Sequence, residues 1–209
     1  MMTKMVLPVS ATWLLISCAA SAQQAPKPST APPAHAQEMP KGSNVNPDAG
    51  LVAGFNKRVE EYNQLRKDLQ SKAPPLKKTD DPGEIALAEK ALAQQVRAAR
   101  ANAKRGDIFT PATAAMFRRL LNPTVKGHDG AENKQLLIND HDVPDPKDIA
   151  IKVNGEYPKD QPRSTVPPDV LKALPPLPDN LEYRFVGKHL ILYCSRGNLI
   201  IDYMLNAIP

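Results

Sequence analysis

The sequence predicts an α+β fold, and three observations carry that expectation. Before Leu121 the apolar residues recur at steps of three and four, after Ile149 they recur at steps of two, and loop-forming Asn, Asp and Pro separate the two regimes. The architecture expected is an N-terminal helical hairpin with additional helices, followed by a C-terminal antiparallel β-meander of three to four strands. Residues 51–209 are expected to form a single α+β domain, with a helical half at 51–140 and a β half at 148–209.

The first residues concern where the chain goes rather than how it folds. Lys4 precedes an apolar run, Val6–Ser17, and small residues follow at Cys18-Ala19-Ala20-Ser21-Ala22, the layout of a signal peptide over residues 1–22. The run is shorter than the roughly 20 residues a spanning helix needs, and no other segment approaches that length, so no transmembrane segment is expected. Two processing routes are compatible with these residues. Ala20-Ser21-Ala22 before Gln23 suits ordinary cleavage after Ala22, while Leu15-Ile16-Ser17-Cys18 reads as a lipobox that would lipidate Cys18 and leave a lipid anchor. Either route delivers the chain to the periplasm or cell envelope of a bacterium.

Residues 23–50 are rich in Pro and Ala and poor in large apolar side chains, the composition of a disordered tether, with His35 solvated within it. Asn46-Pro47 then offers a cap and a proline at the first helical position. Val52, Phe55, Val59, Tyr62, Leu65 and Leu69 predict an amphipathic helix of about 25 residues. Ala73-Pro74-Pro75 stops it. Asp81-Pro82-Gly83-Glu84 opens a second helix as a capping box, with Ile85, Ala88, Leu92, Val96, Ala99 and Ala103 as its apolar stripe and Gly106 as its stop. Its C-terminal cations, Arg97, Arg100, Lys104 and Arg105, are read as complementing the helix dipole.

Thr110-Pro111 caps a third helix to Leu121, closed by Asn122-Pro123, and a short fourth covers Ala131–Leu137. Ile149, Ile151 and Val153 alternate as a strand running into an Asn154-Gly155 hairpin signal. The proline-rich stretch Pro158–Pro178 holds one helical turn at Asp169–Ala173. In the closing meander, Leu181, Tyr183 and Phe185 alternate with Glu182 and Arg184. Leu190–Cys194 is apolar throughout, as a central strand covered on both faces would be, and Leu199, Ile201, Tyr203 and Leu205 restore the alternation. Gly187 and Gly197 mark the two turns.

The net charge of +5, or +4 once Lys4 leaves, is a modest surplus. On an exported chain it points to anionic envelope components or to a protein partner rather than to nucleic acid. Cys194 is the only thiol left in the folded part, so no intramolecular disulfide is expected, and its apolar setting reads as core. The polar residues His128-Asp129, Glu132, Asp140-His141-Asp142 and Asp145 mix imidazoles with carboxylates, as a divalent metal would require, but match no ligand spacing and read as solvated loop. The chain has no G-x-S-x-G, no P-loop and no dinucleotide fingerprint. No catalytic, cofactor-binding or metal residue is assigned, no cofactor is expected, and a non-enzymatic binding or structural module is the reading preferred. An enzyme acting on envelope material and a divalent-metal homeostasis protein are the alternatives.

Phe55-Asn56-Lys57-Arg58-Val59-Glu60-Glu61-Tyr62, Gly106-Asp107-Ile108-Phe109-Thr110-Pro111, Phe117-Arg118-Arg119-Leu120-Leu121, Val153-Asn154-Gly155-Glu156-Tyr157-Pro158, Val166-Pro167-Pro168 and the closing meander together resemble a family of uncharacterised exported bacterial proteins. That resemblance implies export and supplies no activity. The proline lead and Tyr183-Arg184-Phe185-Val186-Gly187, with the two strands that follow, are distantly similar to the end of the RcnB-like periplasmic proteins. That family is linked to nickel and cobalt homeostasis. This chain has no Trp near Phe185 and no His-rich or Met-rich tract ahead of the module, so no ligand residue carries over.

Overall fold

A computed structural model describes residues 46–72, 80–126, 130–138 and 147–209, which belong to the unit Asn44–Pro209. Helices α1 (Ala49–Lys72), α2 (Pro82–Ala99), α3 (Pro111–Thr124) and α4 (Gly130–Ile138) come first. Strand β1 (Gly155–Glu156), helix α5 (Pro168–Ala173) and strands β2 (Leu181–Val186), β3 (His189–Cys194) and β4 (Leu199–Met204) follow. The fold is α+β, as the change of period predicts. The sheet is antiparallel in the order β1-β4-β3-β2, so the meander β2-β3-β4 is as expected and β1 adds a two-residue fourth strand beside β4.

One face of the sheet packs on the helices. Phe55 of α1, Phe117 of α3 and Phe109 between α2 and α3 meet at centroid distances of 5.0 to 5.7 Å, and Phe117 reaches Tyr183 of β2 at 5.9 Å. The other face is covered by the stretch from Ile149 to Tyr157, through Ile149 and Tyr157 against Ile191, Tyr193 and Ile200. This explains why β3 is apolar at every position: Leu190, Leu192 and Cys194 face the helices while Ile191 and Tyr193 face the other layer.

Several local expectations are corrected. Asn46 is not the helix cap: its side chain accepts from the Asp48 N–H at 2.9 Å in a turn ahead of the helix, which begins at Ala49, so Pro47 lies outside it and residues 49 and 50 are not tether. Helix α2 stops at Ala99 with Arg100 as its cap. Gly106 serves the next loop instead, at φ +93°. Of its predicted stripe only the middle is buried, by Leu92 and Val96 with Ala93, while Ile85 is exposed. Pro123 lies inside α3 rather than closing it, tolerated because the hydrogen bond it forfeits falls in the last turn. Residues 149–153 form no strand. The Lys152 carbonyl accepts from the Gly155 N–H at 3.0 Å with Asn154 at φ +58°, so Asn154-Gly155 is a tight turn that delivers β1 to β4 rather than a hairpin between two strands.

The alternation predicted for β4 also fails halfway. Leu192 pairs with Asp202 and Tyr193 with Ile200, so Ile201 is an extra residue, a β-bulge. Past it the phase shifts by one. Leu199, Ile201 and Met204 face the helices and Ile200 and Tyr203 pack with the opposite layer. Asp202, opposite the helix-facing Leu192, points inward and is fully buried.

That carboxylate holds the helical half to the sheet. Its oxygens accept from the Gly106 N–H at 3.0 Å, the Ile108 N–H at 2.7 Å, the Phe109 N–H at 2.8 Å and its neighbour Tyr203 N–H at 2.8 Å. A second tie runs through Asn154, whose side chain accepts from Arg100 at 2.7 Å and donates to the Arg100 carbonyl at 2.9 Å, while Arg97 donates to its backbone carbonyl at 3.0 Å. Arg97 and Arg100 lie at the C-terminal end of α2, as expected, and serve in addition as cross-links between α2 and the turn before β1.

Candidate functional site

The candidate site is the open edge of β2. Among the described residues the strand order leaves β2 with a neighbour on one side only, and alternate residues of an antiparallel edge strand direct their N–H and C=O groups away from the sheet. Three contacts fix which residues these are. The Asn180 carbonyl accepts from the Ser195 N–H at 3.0 Å, which makes residues 180, 182, 184 and 186 the inward set; Phe185 and Leu181 make their backbone bonds outward.

The outward positions are not equally treated. At Phe185 the Ser164 hydroxyl closes the edge, donating to the carbonyl at 2.9 Å and accepting from the N–H at 3.0 Å. At Leu181 the N–H is taken by the Pro178 carbonyl at 3.2 Å. The Tyr183 N–H and C=O and the Leu181 C=O have no partner among the described residues. Leu181 and Tyr183 are among the residues lining a groove of about 400 Å³, together with Thr165-Val166, the proline lead Pro175-Pro176-Leu177 and Leu171 of α5.

The groove is apolar with a polar rim. Leu171 is 44% exposed, one of the few large apolar side chains left in solvent among the described residues, whereas Tyr183 is only 5% exposed although its backbone is unpaired. The Tyr183 hydroxyl donates to the Pro175 carbonyl at 2.9 Å, which ties the proline lead to β2, and burial pushes that phenol well above its ordinary range. On the rim Arg184 Nε donates to Glu182 at 2.9 Å and Nη1 to the Ser164 carbonyl at 2.7 Å, so both charges are held beside the open backbone.

The residues singled out from the sequence lie elsewhere. Cys18, His35, His128, Asp129, Asp140, His141, Asp142 and Asp145 are outside the described residues, and Glu132 is exposed on α4. Among the described residues no group of three or more His, Cys, Asp or Glu converges as a ligand set, and no helix is long and apolar enough to cross a membrane. Cys194 is buried beside the Tyr62 hydroxyl, and Arg66 Nε is a buried polar atom without a partner among the described residues. His189 opens β3, its Nδ1 accepting from the Asn206 N–H at 3.1 Å, and burial lowers its pKa.

Sequence reasoning missed the groove because edge status depends on strand order, which composition does not carry. The one available signal was the proline lead itself, placed against an alternating strand. No protein family, curated protein or solved structure matches this chain.

Proposed function

We propose that this chain is a non-enzymatic exported protein of the bacterial cell envelope, and that it acts as a binding module whose ligand lies in the β2 groove. The observation that carries the reading is the pairing of opposites at Tyr183: a buried backbone donor and acceptor without partners among the described residues, beside a half-open, largely apolar groove. An unpaired backbone group out of water costs about 1–3 kcal/mol, so a ligand that supplies its partner gains that much beyond its apolar contacts. An apolar lining with a few convergent polar groups is the ordinary composition of a ligand site. Export is supported by the charged, apolar and small-residue succession of residues 1–22.

Two measurements test the reading. A small apolar dye titrated into the mature protein is expected to bind saturably, and Thr165→Trp, at an exposed groove wall, is expected to abolish that binding without lowering Tm. Wild-type protein that binds no dye, or a Trp variant that binds it unchanged, refutes the groove. Cell fractionation with mass measurement of the mature N-terminus is expected to give an envelope protein starting at Gln23 or at lipidated Cys18; an intact Met1 in the cytosol refutes export.

A further inference from the structure

We infer that the groove captures an extended peptide segment of a partner protein by strand addition to β2, in antiparallel sense, one peptide residue pairing with Tyr183. This rests on the groove being the binding site and goes further in naming the ligand class. The free groups run acceptor, donor, acceptor, from the Leu181 C=O to the Tyr183 N–H and C=O, which is the pattern an extended backbone satisfies and an acyl chain does not.

A second copy of the chain is the obvious rival, since β2 set against its twin would pair Tyr183 with Tyr183. That register places Leu181 of one copy opposite Phe185 of the other, and there Ser164 already occupies the position of a neighbouring strand. The edge is open for about one residue pair, which admits a single thin chain and excludes a strand carrying its own flanking segments.

Charge then sets the order of residues in the peptide. In the antiparallel sense the residue after the paired one lies opposite Glu182 and the residue before it opposite Arg184, on the face those side chains share. The fitting core is acidic, apolar, basic, such as Glu-Val-Lys, with the central side chain on the Tyr183 face, against Leu181 and the proline lead.

The test uses mature protein and a nonapeptide, Thr-Gly-Ser-Glu-Val-Lys-Ser-Gly-Thr, with blocked ends. Saturable binding is expected, together with slowed exchange of the Tyr183 amide. The same peptide N-methylated at valine, or reordered as Lys-Val-Glu, is expected to bind about tenfold more weakly, the worth of roughly one good hydrogen bond or cross-strand charge pair. The double variant Glu182→Lys, Arg184→Glu is expected to invert the preference between the two orders. Should that variant fail to fold because Arg184 loses Ser164, Thr165→Trp must abolish peptide binding on its own.

The outcomes separate the two readings. Saturable dye binding with no peptide binding, or equal affinity for the N-methylated peptide, overturns strand addition and leaves the groove standing. Failure of both dye and peptide overturns both. Protection of the Tyr183 amide that rises with protein concentration alone identifies a second copy as the occupant and overturns the inference.

Discussion

Replacing Asp202 with Asn changes one atom and no volume, yet it should be among the most damaging substitutions available in this protein. One carboxylate oxygen accepts from Gly106 and Tyr203, the other from Ile108 and Phe109. An amide has only one acceptor, so whichever way it is turned, two backbone N–H groups lose their partner and meet an NH2 instead. Hydrogen bonds to a buried charge contribute about 1.5–3 kcal/mol each, which puts the expected loss of two of them at about 3–6 kcal/mol. Against a total stability of about 5–15 kcal/mol that is a large share. In urea, with a slope of about 2 kcal/mol per molar, the midpoint should fall by about 2 M with the slope unchanged. Amide exchange at Ile108 and Phe109 or at Gly106 and Tyr203, according to the turn of the amide, should accelerate. A midpoint shift under about 0.5 M would refute the argument that the four N–H groups depend on the charge.

Other substitutions probe different ties. Asn154→Ala loses both side-chain bonds to Arg100 and strains a backbone at φ +58°, so a loss of about 2–3 kcal/mol is expected by thermal unfolding, with Asn154→Gly recovering about 1 kcal/mol of it because glycine accepts that φ. Gly130→Ala would bring a Cβ to 2.6 Å from the Val125 carbonyl carbon, and a Tm drop corresponding to about 1–3 kcal/mol is expected. His189 has a pKa below its ordinary 6.5 because burial disfavours the imidazolium. Its contribution is therefore present above pH 6.5 and lost as the pH falls through the lowered value, and His189→Gln should flatten the acid limb of the stability profile.

The fold was legible where a pattern is local. The change of period, the Asp81 and Thr110 caps and the doubly covered β3 are all set by residues within a few positions of one another, and each stands as the sequence implies. What failed depends on partners far along the chain. Arg97 and Arg100 sit where a helix dipole wants cations, but their bonds to Asn154, more than 50 residues on, were not legible. The phase of β4 changes at Ile201, allowing Asp202 to reach Gly106, Ile108 and Phe109 some 93 to 96 residues earlier, and no run of alternating residues announces that. The groove is illegible for the same reason, since Ser164 and Tyr183 become an edge and its partial cover only once strand order is known.

The buried carboxylate at the bulge also has a consequence for how the chain can be divided. Severed between Ile138 and Lys147, the N-terminal piece would hold Gly106, Ile108 and Phe109 with their N–H groups aimed at an acceptor it no longer owns, and the C-terminal piece a negative charge with nothing to neutralise its burial. Each fragment carries one half of a lock. Neither should persist as a folded body alone, and the two mixed together should reassemble, so the boundary between helical and sheet residues is a natural site for a split protein that reports when its halves meet.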